Sequence, residues 1–462
     1  FCRRVLMSAD DLASQAAPQR RLTLFDSTSI IVGIIIGSGV YKTAPLIASS
    51  VPSSLAVLGV WLAGGLFALI GSLCYAELAT MFPAAGGDYI FLSRAYGRPM
   101  GLLFAWCELW IVRPGSIGSL AFVFADYANQ IYPLGSHALA IYAAGAIAVL
   151  TVINILGVAS GKWTQNLLTV AKVIGLLAVV AIGFLYTAPE TPAPEQPSDA
   201  NWGLAMILIL YAYGGWNDMA YVSAEVRDPE KSIFRALVSG TLAVTLIYAL
   251  VNAAFLHALG LEGLRQAPAV AADVARLGAS EWGAKAVSVL VAVSALGAVN
   301  GMIFTGGRIY YAMGKEHKLF ALLGRWSPRL GTPAWSLATQ GLIAMTVVLG
   351  FGLSAGKSDG DGFERMVNFT FPVFWLFLLL VSLSLIVLRY RDPARPRPYR
   401  APLSPATPLS FAASCVFMLH ASITHAQRND SSEAYWSFGL LAAGLIVCVV
   451  DYAITKRERS AR

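Results

Sequence analysis

The chain has 462 residues, 57% of them hydrophobic and 13% charged, with a formal net charge of +7. Soluble domains carry about 25% charged residues, so the composition excludes an ordinary globular protein. The positive balance does not point to nucleic acid, because Lys and Arg gather in short segments between apolar stretches, as membrane orientation requires.

Residues 1–26 are a polar N-terminal segment. Its "MSADDLASQAAPQRRLTLFD" run has neither a short apolar core nor a small-residue cleavage site, so no cleaved leader is expected. The leading "FCRRVL" reads as upstream sequence, with Met7 as the start. Twelve apolar stretches follow, at 27–50, 55–80, 101–131, 137–158, 164–186, 203–225, 236–259, 283–313, 334–354, 365–389, 406–426 and 434–454. Each is about 20 residues or longer, the length that crosses a hydrocarbon core. The prediction is an all-α membrane protein with twelve transmembrane helices.

The loops alternate in charge. One side carries Arg20, Arg21, Arg94, Arg98, Lys162, Arg227, Lys231, Arg235, the "RYRDPARPRPYR" loop and the "KRERSAR" tail. The other side holds few positives and includes the acidic, proline-rich "TAPETPAPEQPSDAN". Positive loops face the cytoplasm, so a cell-membrane protein with both termini cytoplasmic is expected. The organisation is then spans one to five (27–186), an external linker stiffened by prolines (187–202), spans six to ten (203–389), a cytoplasmic loop (390–405), spans eleven and twelve (406–454) and a tail (455–462). Cys2, Cys74, Cys107, Cys415 and Cys448 show neither metal-ligand spacing nor a disulfide framework, and read as packing residues. No metal or cofactor is expected.

Span one contains "GIIIGSGV", with Gly33, Gly37, Ser38 and Gly39 where a helix should run without interruption. Gly costs about 1 kcal/mol relative to Ala inside a helix. Gly33 and Gly37 alone would suit close helix packing, but that does not account for the consecutive "GSG". Span six repeats the anomaly in "YAYGGWND", with Gly214 and Gly215 at mid-span. Spans one and six each open a block of five. Interrupted helices in corresponding positions of two halves point to the binding site of a transporter. A gap exposes N–H donors on one side, which suit a carboxylate, and carbonyl acceptors on the other, which suit an ammonium. A zwitterion matches both.

The motifs "GIIIGSGVY", "AELATMFPAAGGDYIFLSRAYG", "ELWIVRPGS", "NLLTVAKVIGLL", "YAYGGWN", "YVSAEVRDPEKSIFRAL" and "GAVNGMIFTGGRIYYAMGKEHKLF" together resemble the L-type amino acid transporter family of the amino acid–polyamine–organocation superfamily. The resemblance runs from about residue 22 to about residue 400. It implies a LeuT-type inverted repeat of five plus five helices with two extra, and helices one and six discontinuous. It further implies that a substrate carboxylate meets Gly37, Ser38 and Gly39, and that its ammonium meets carbonyls of Ile35, Tyr211, Ala212 and Gly214. Tyr211 would be an aromatic lid. Lys172 would stand where sodium-coupled relatives bind their cation, bridging span five to span one; the plainer reading is a lysine snorkelling to the surface. Asn300 would add a polar contact to the substrate, or a helix–helix hydrogen bond.

Glu108, Arg113 and Asp218 are each expensive in lipid and should face the interior or pair. Two readings of Asp218 stand open at this stage: a coupling or cation-attracting group, and an ion-pair partner, with Arg113 fitting the family pattern. The stretch from Glu225 to Lys231 reads as a solvated face or, by resemblance, part of the cytoplasmic gate. Animal members pair with a single-span glycoprotein through a cysteine after span three; here that loop is "QIYPLGSH", so no disulfide-linked partner, and a stand-alone prokaryotic member, is expected.

The function implied is secondary transport of neutral L-amino acids by sodium-independent exchange. Alternatives are a proton-coupled or cationic amino acid carrier, and a sensor that binds amino acids without moving them. An enzyme is disfavoured: there is no H-E-x-x-H motif, and a nucleophilic Ser38 would need a nearby base, whereas His137, His257, His317, His420 and His425 fall at or near span ends.

Overall fold

The computed structural model describes residues 17–37, 39–188, 200–267, 269–354, 362–428 and 432–460, and beyond two isolated bridges these contain no strand. The Met7 start and most of the proline-rich linker lie outside the described residues. Among the described residues fifteen α-helices follow one another: α1 (Leu24–Ile35), α2 (Gly39–Ser50), α3 (Ser54–Met81), α4 (Asp88–Tyr96), α5 (Arg98–Cys107), α6 (Arg113–Ile131), α7 (Ala138–Ile155), α8 (Val158–Leu185), α9 (Trp202–Ala212), α10 (Pro229–Gln266), α11 (Val270–Glu316), α12 (Ala334–Ser354), α13 (Gly362–Arg391), α14 (Ala406–Arg428) and α15 (Ser432–Ser460). A π-helical turn, Glu108–Val112, joins α5 to α6, and a 3₁₀ segment, Trp216–Glu225, follows α9.

Ten continuous helical stretches are long and apolar enough to cross a membrane, and α1 with α2, bent by 48° at their break, would make an eleventh. The protein is therefore a multi-pass membrane protein. The stretch at 203–225 is not one helix: it divides into α9 and the 3₁₀ segment. The two long helices are also kinked. Gly260 breaks α10, and Ala279 with Ser280 breaks α11, so the apolar spans at 236–259 and 283–313 each lie to one side of the kink.

Local chemistry places α1. Thr23 and Asp26 form a reciprocal capping box: the Thr23 N–H donates to the Asp26 carboxylate at 2.9 Å, and the Asp26 N–H donates to the Thr23 hydroxyl at 3.2 Å. The same carboxylate accepts from Lys162 Nζ at 3.0 Å and Asn166 Nδ2 at 2.7 Å, which ties the start of α1 to α8. Pro114 explains the π turn. It has no N–H for the carbonyl one turn back, and the helix ahead of it widens so that the Arg113 N–H bonds to the Glu108 carbonyl, five residues away.

Packing then brings both broken helices to the centre. α1 lies against α8, α10, α11 and the 3₁₀ segment, while α2 lies against α9. The first half of one pair is thus beside the second half of the other, and the pairs run antiparallel. Gly33 is the close approach between α1 and α8: a Cβ there would fall 2.1 Å from Gln165 Nε2 and 2.3 Å from Thr169 Oγ1. The outer helices α8 and α15 instead present large apolar side chains outward, such as Leu167, Ile174, Trp436 and Val449, as contact with lipid tails requires.

Gly33→Val should overpack the α1–α8 contact and destabilise the protein by about 1–3 kcal/mol, visible as a lowered Tm of the detergent-purified protein. An unchanged Tm would mean that the contact is loose.

Candidate functional site

The two interruptions face one another across a single cavity of about 100 Å³, lined by Ile35, Gly37, Gly39, Tyr211, Ala212 and Gly214 together with Glu108, Arg113 and Asp218. Backbone geometry holds the breaks together. Ile36 leaves the helical region with φ −74° and ψ 74°. Gly215 has φ +106°, a conformation that L side chains rarely adopt, and a Cβ there would fall 2.5 Å from Ile34 Cγ2. A Cβ on Gly39 would lie 3.1 Å from Ala212 Cα, so the start of α2 rests directly on the end of α9. Ser38 lies outside the described residues.

The carbonyls freed at the end of α1 have named donors. Lys172, on α8, is fully buried, and its ammonium donates to the Gly33 carbonyl at 2.8 Å, the Ile36 carbonyl at 2.6 Å and the Ser294 carbonyl at 2.8 Å. All three of its protons are used, so it does not snorkel. It fastens α8 to the end of α1 and to α11. The Ser294 hydroxyl is shared between the Ile36 and Gly37 carbonyls, at 2.9 and 3.0 Å. Tyr248, on α10, puts its hydroxyl between the two breaks and donates to the Ile35 carbonyl at 2.9 Å and the Ala212 carbonyl at 3.3 Å. Sequence reasoning missed both residues. A tyrosine inside "TLIYALVNAAF" is the only signal for Tyr248, and it does not say which carbonyls lie opposite.

Tyr211 is half-buried at the cavity wall, its ring 5.3 Å from that of Phe371 and 5.9 Å from that of Phe363. Asn300 is elsewhere. Its amide donates to Gly161 O at 3.2 Å and Gln165 Oε1 at 2.9 Å, and its oxygen accepts from Asn154 at 2.8 Å. It does not line the cavity. The expectation of a substrate contact is corrected: its bonding capacity is spent between α7, α8 and α11.

Asp218 is an ion-pair partner. Both terminal nitrogens of Arg113 donate to its two oxygens, Nη2 to Oδ1 at 3.0 Å, and the Thr305 hydroxyl adds a bond at 2.7 Å. Arg113 Nε reaches Glu108 at 3.0 Å. The Arg113 guanidinium also lies 5.0 Å from the Tyr221 ring. The Tyr221 hydroxyl in turn donates to Asp88 at 2.9 Å, and so does that of Tyr75. Asp88, on α4 and outside the spans, has no cationic partner among the described residues, and burial pushes its carboxyl up to about 8 against the lowering effect of the two hydroxyls. One layer further along, Arg308 holds Glu225 through two bonds of 2.7 and 3.1 Å, both side chains fully buried. Glu225 is thus an interior group and not part of a solvated face.

Comparison with known proteins bears on this arrangement. Residues 22–448 match the family described as "Amino acid permease". The chain is 31% identical over 433 residues to the b(0,+)-type amino acid transporter 1 of Mus musculus, covering 91% of this chain and 84% of that protein. It is 30% identical over 449 residues to the serine/threonine exchanger SteT of Bacillus subtilis (strain 168), covering 96% and 98%. It is 29% identical over 416 residues to the cystine/glutamate transporter of Homo sapiens, covering 88% and 80%.

Lys172→Met would leave three buried carbonyls without this donor, at about 1–3 kcal/mol for each that water cannot reach. The Tm of the purified variant should drop well below that of wild type, whereas Lys285→Met, on an exposed lysine, should leave it unchanged. Equal Tm values for K172M and wild type would show that water enters the break.

Proposed function

Because this chain belongs to the amino acid permease family, we propose that it exchanges neutral L-amino acids across the cell membrane without sodium, by alternating access around the cavity between its two interrupted helices. The observation that carries this reading is the pair of breaks meeting at one cavity. The start of α2 at Gly39 offers N–H groups to a carboxylate. The carbonyls of Ile35, Tyr211, Ala212 and Gly214 would receive the ammonium, and Tyr248 bonds to two of them. Ser38 would add its hydroxyl on the carboxylate side.

Lys172 supports sodium independence. Its amino group occupies the carbonyls that a metal cation would otherwise need. Tyr211, with Phe363 and Phe371, would be the lid. The small cavity with its apolar wall of Ile34, Leu120 and Met366 favours small neutral side chains. Asp218 would serve this reading as an anchor for Arg113 and not as a receptor for a cationic side chain, since its oxygens are already taken.

The antiparallel relation of the two broken pairs supports a LeuT-type repeat of five plus five helices with α14 and α15 as the extra pair, twelve crossings in all. Arginines clustered at one end of the spans support cytoplasmic termini. The loop after the third span lacks cysteine, which supports action without a disulfide-linked partner. A serine/threonine exchanger among the relatives agrees with this reading.

The test is uptake of labelled L-alanine and L-leucine into proteoliposomes, empty or preloaded with unlabelled amino acid, with and without sodium. Uptake that needs preloading and ignores sodium is expected. Sodium-driven uptake into empty vesicles would overturn exchange, and saturable binding without uptake would make the protein a sensor. Gly39→Leu, whose side chain would enter the Ala212 contact, should abolish substrate binding while the protein still inserts.

A further inference from the structure

Two carboxylates and one guanidinium meet at the wall of the cavity, and they do not share the positive charge equally. Asp218 takes both terminal nitrogens of Arg113 and the Thr305 hydroxyl. Glu108 receives only the Nε bond, on one oxygen. Its side chain is 4% exposed and lines the cavity, and its second oxygen has no hydrogen-bond partner among the described residues. The nearby Tyr310 hydroxyl goes to the main-chain carbonyl of Glu108, at 3.2 Å, and leaves the carboxylate alone. The π turn produces this arrangement, since it sets Arg113 five residues on and still within reach of Glu108. Such turns recur at functional sites.

With both acids ionised the cluster would carry one surplus negative charge inside the membrane, facing a cavity that must close on a substrate of no net charge. A surplus charge at that depth is costly, and one bound proton removes it. The 3₁₀ segment and α11 bring Asp218, Tyr221 and Tyr310 around the Arg113–Glu108 pair, with Asp88 behind Tyr221. Among the described residues no lysine or histidine bonds to it. From this geometry we infer that Glu108 is a proton-binding site of the substrate cavity, carrying a proton whenever the cavity is closed on a neutral amino acid. The proton forms an O–H bond on the free carboxylate oxygen and returns to water when the cavity reopens. No bond of the substrate changes.

The inference rests on the exchange reading and can fail separately from it. The experiment is exchange of labelled L-alanine, below saturation, in preloaded proteoliposomes held at the same pH on both faces, from about pH 6 to about pH 9. A binding titration on the detergent-purified protein runs beside it. Wild-type exchange and affinity should both fall as pH rises, approaching roughly tenfold per pH unit above the titration of Glu108, as linkage to one proton requires. Glu108→Gln should hold the low-pH rate across the range. Asp218→Asn, which frees the Arg113 fork to pair with Glu108 and keeps it ionised, should resemble wild type at high pH throughout.

A flat wild-type profile in both assays overturns the proton site, whether or not the variants fold. So does an E108Q profile that matches wild type. Labelled L-lysine exchanged as well as alanine, lost in E108Q, with a flat alanine profile, would put a substrate cation in place of the proton and overturn it as well. Absence of exchange with a pH-dependent affinity would strike the exchange reading and uphold the proton site.

Discussion

A main chain inside hydrocarbon must satisfy every N–H and carbonyl within the protein or at water-lined surface, and this structure is organised around the two places where helices stop doing so. At the end of α1 the freed carbonyls are met by an ammonium, a hydroxyl from α11 and a phenol from α10. Three separate helices are therefore fastened to one break. The geometry of the break is a property of the whole bundle, and any movement of α1 is felt by α8, α10 and α11 together. A substrate zwitterion that bonds to the same main chain competes in the same currency, which is how a small ligand could shift the balance between two packings of such a bundle.

The second constraint is charge. Buried carboxylates along the axis from the cavity to one end are met by guanidinium groups: Asp218 by Arg113, Glu225 by Arg308, and Glu77 by Arg389 and Arg397. The fork of arginine matches two carboxylate oxygens at once, and removing either partner leaves a buried charge uncompensated. These pairs join segments far apart in the chain, Glu77 to α13 and its following loop, Glu225 to α11, so they fix which helices are neighbours. Among the described residues, Asp88 and Glu108 depart from this scheme. Asp88 is held by hydroxyls alone, and Glu108 by a single guanidinium nitrogen. Both belong to the chain of contacts that runs from the cavity through Arg113 and Tyr221 to Tyr75.

Much of this was legible in the sequence. Ten of the apolar stretches match continuous helices long and apolar enough to cross a membrane, the stretch at 27–50 matches a bent pair, and six of the eight residues proposed as substrate contacts line the cavity. The signals are local: hydropathy over about 20 residues sets a span, and consecutive glycines weaken a helix wherever it lies. Lys172 was legible as a costly charge in an apolar run, but its bridge to span one came from the resemblance alone, since the run by itself left snorkelling open. Asn300 was not, because an amide in a helix has the same sequence signature whether it faces a ligand or a neighbouring helix.

What the sequence by itself determined was the class of protein, the order of the spans and the position of both breaks, all of which follow from the composition of short windows. What only the tertiary structure decided was the partner of each polar group. Asp218 lies 105 residues from Arg113, and Tyr248 lies 213 residues from the Ile35 carbonyl it bonds. Whether such groups meet depends on how intervening helices pack and turn about their axes. That is set by close contacts such as Gly33 on α8 and Gly39 on Ala212, and by no pattern along the chain.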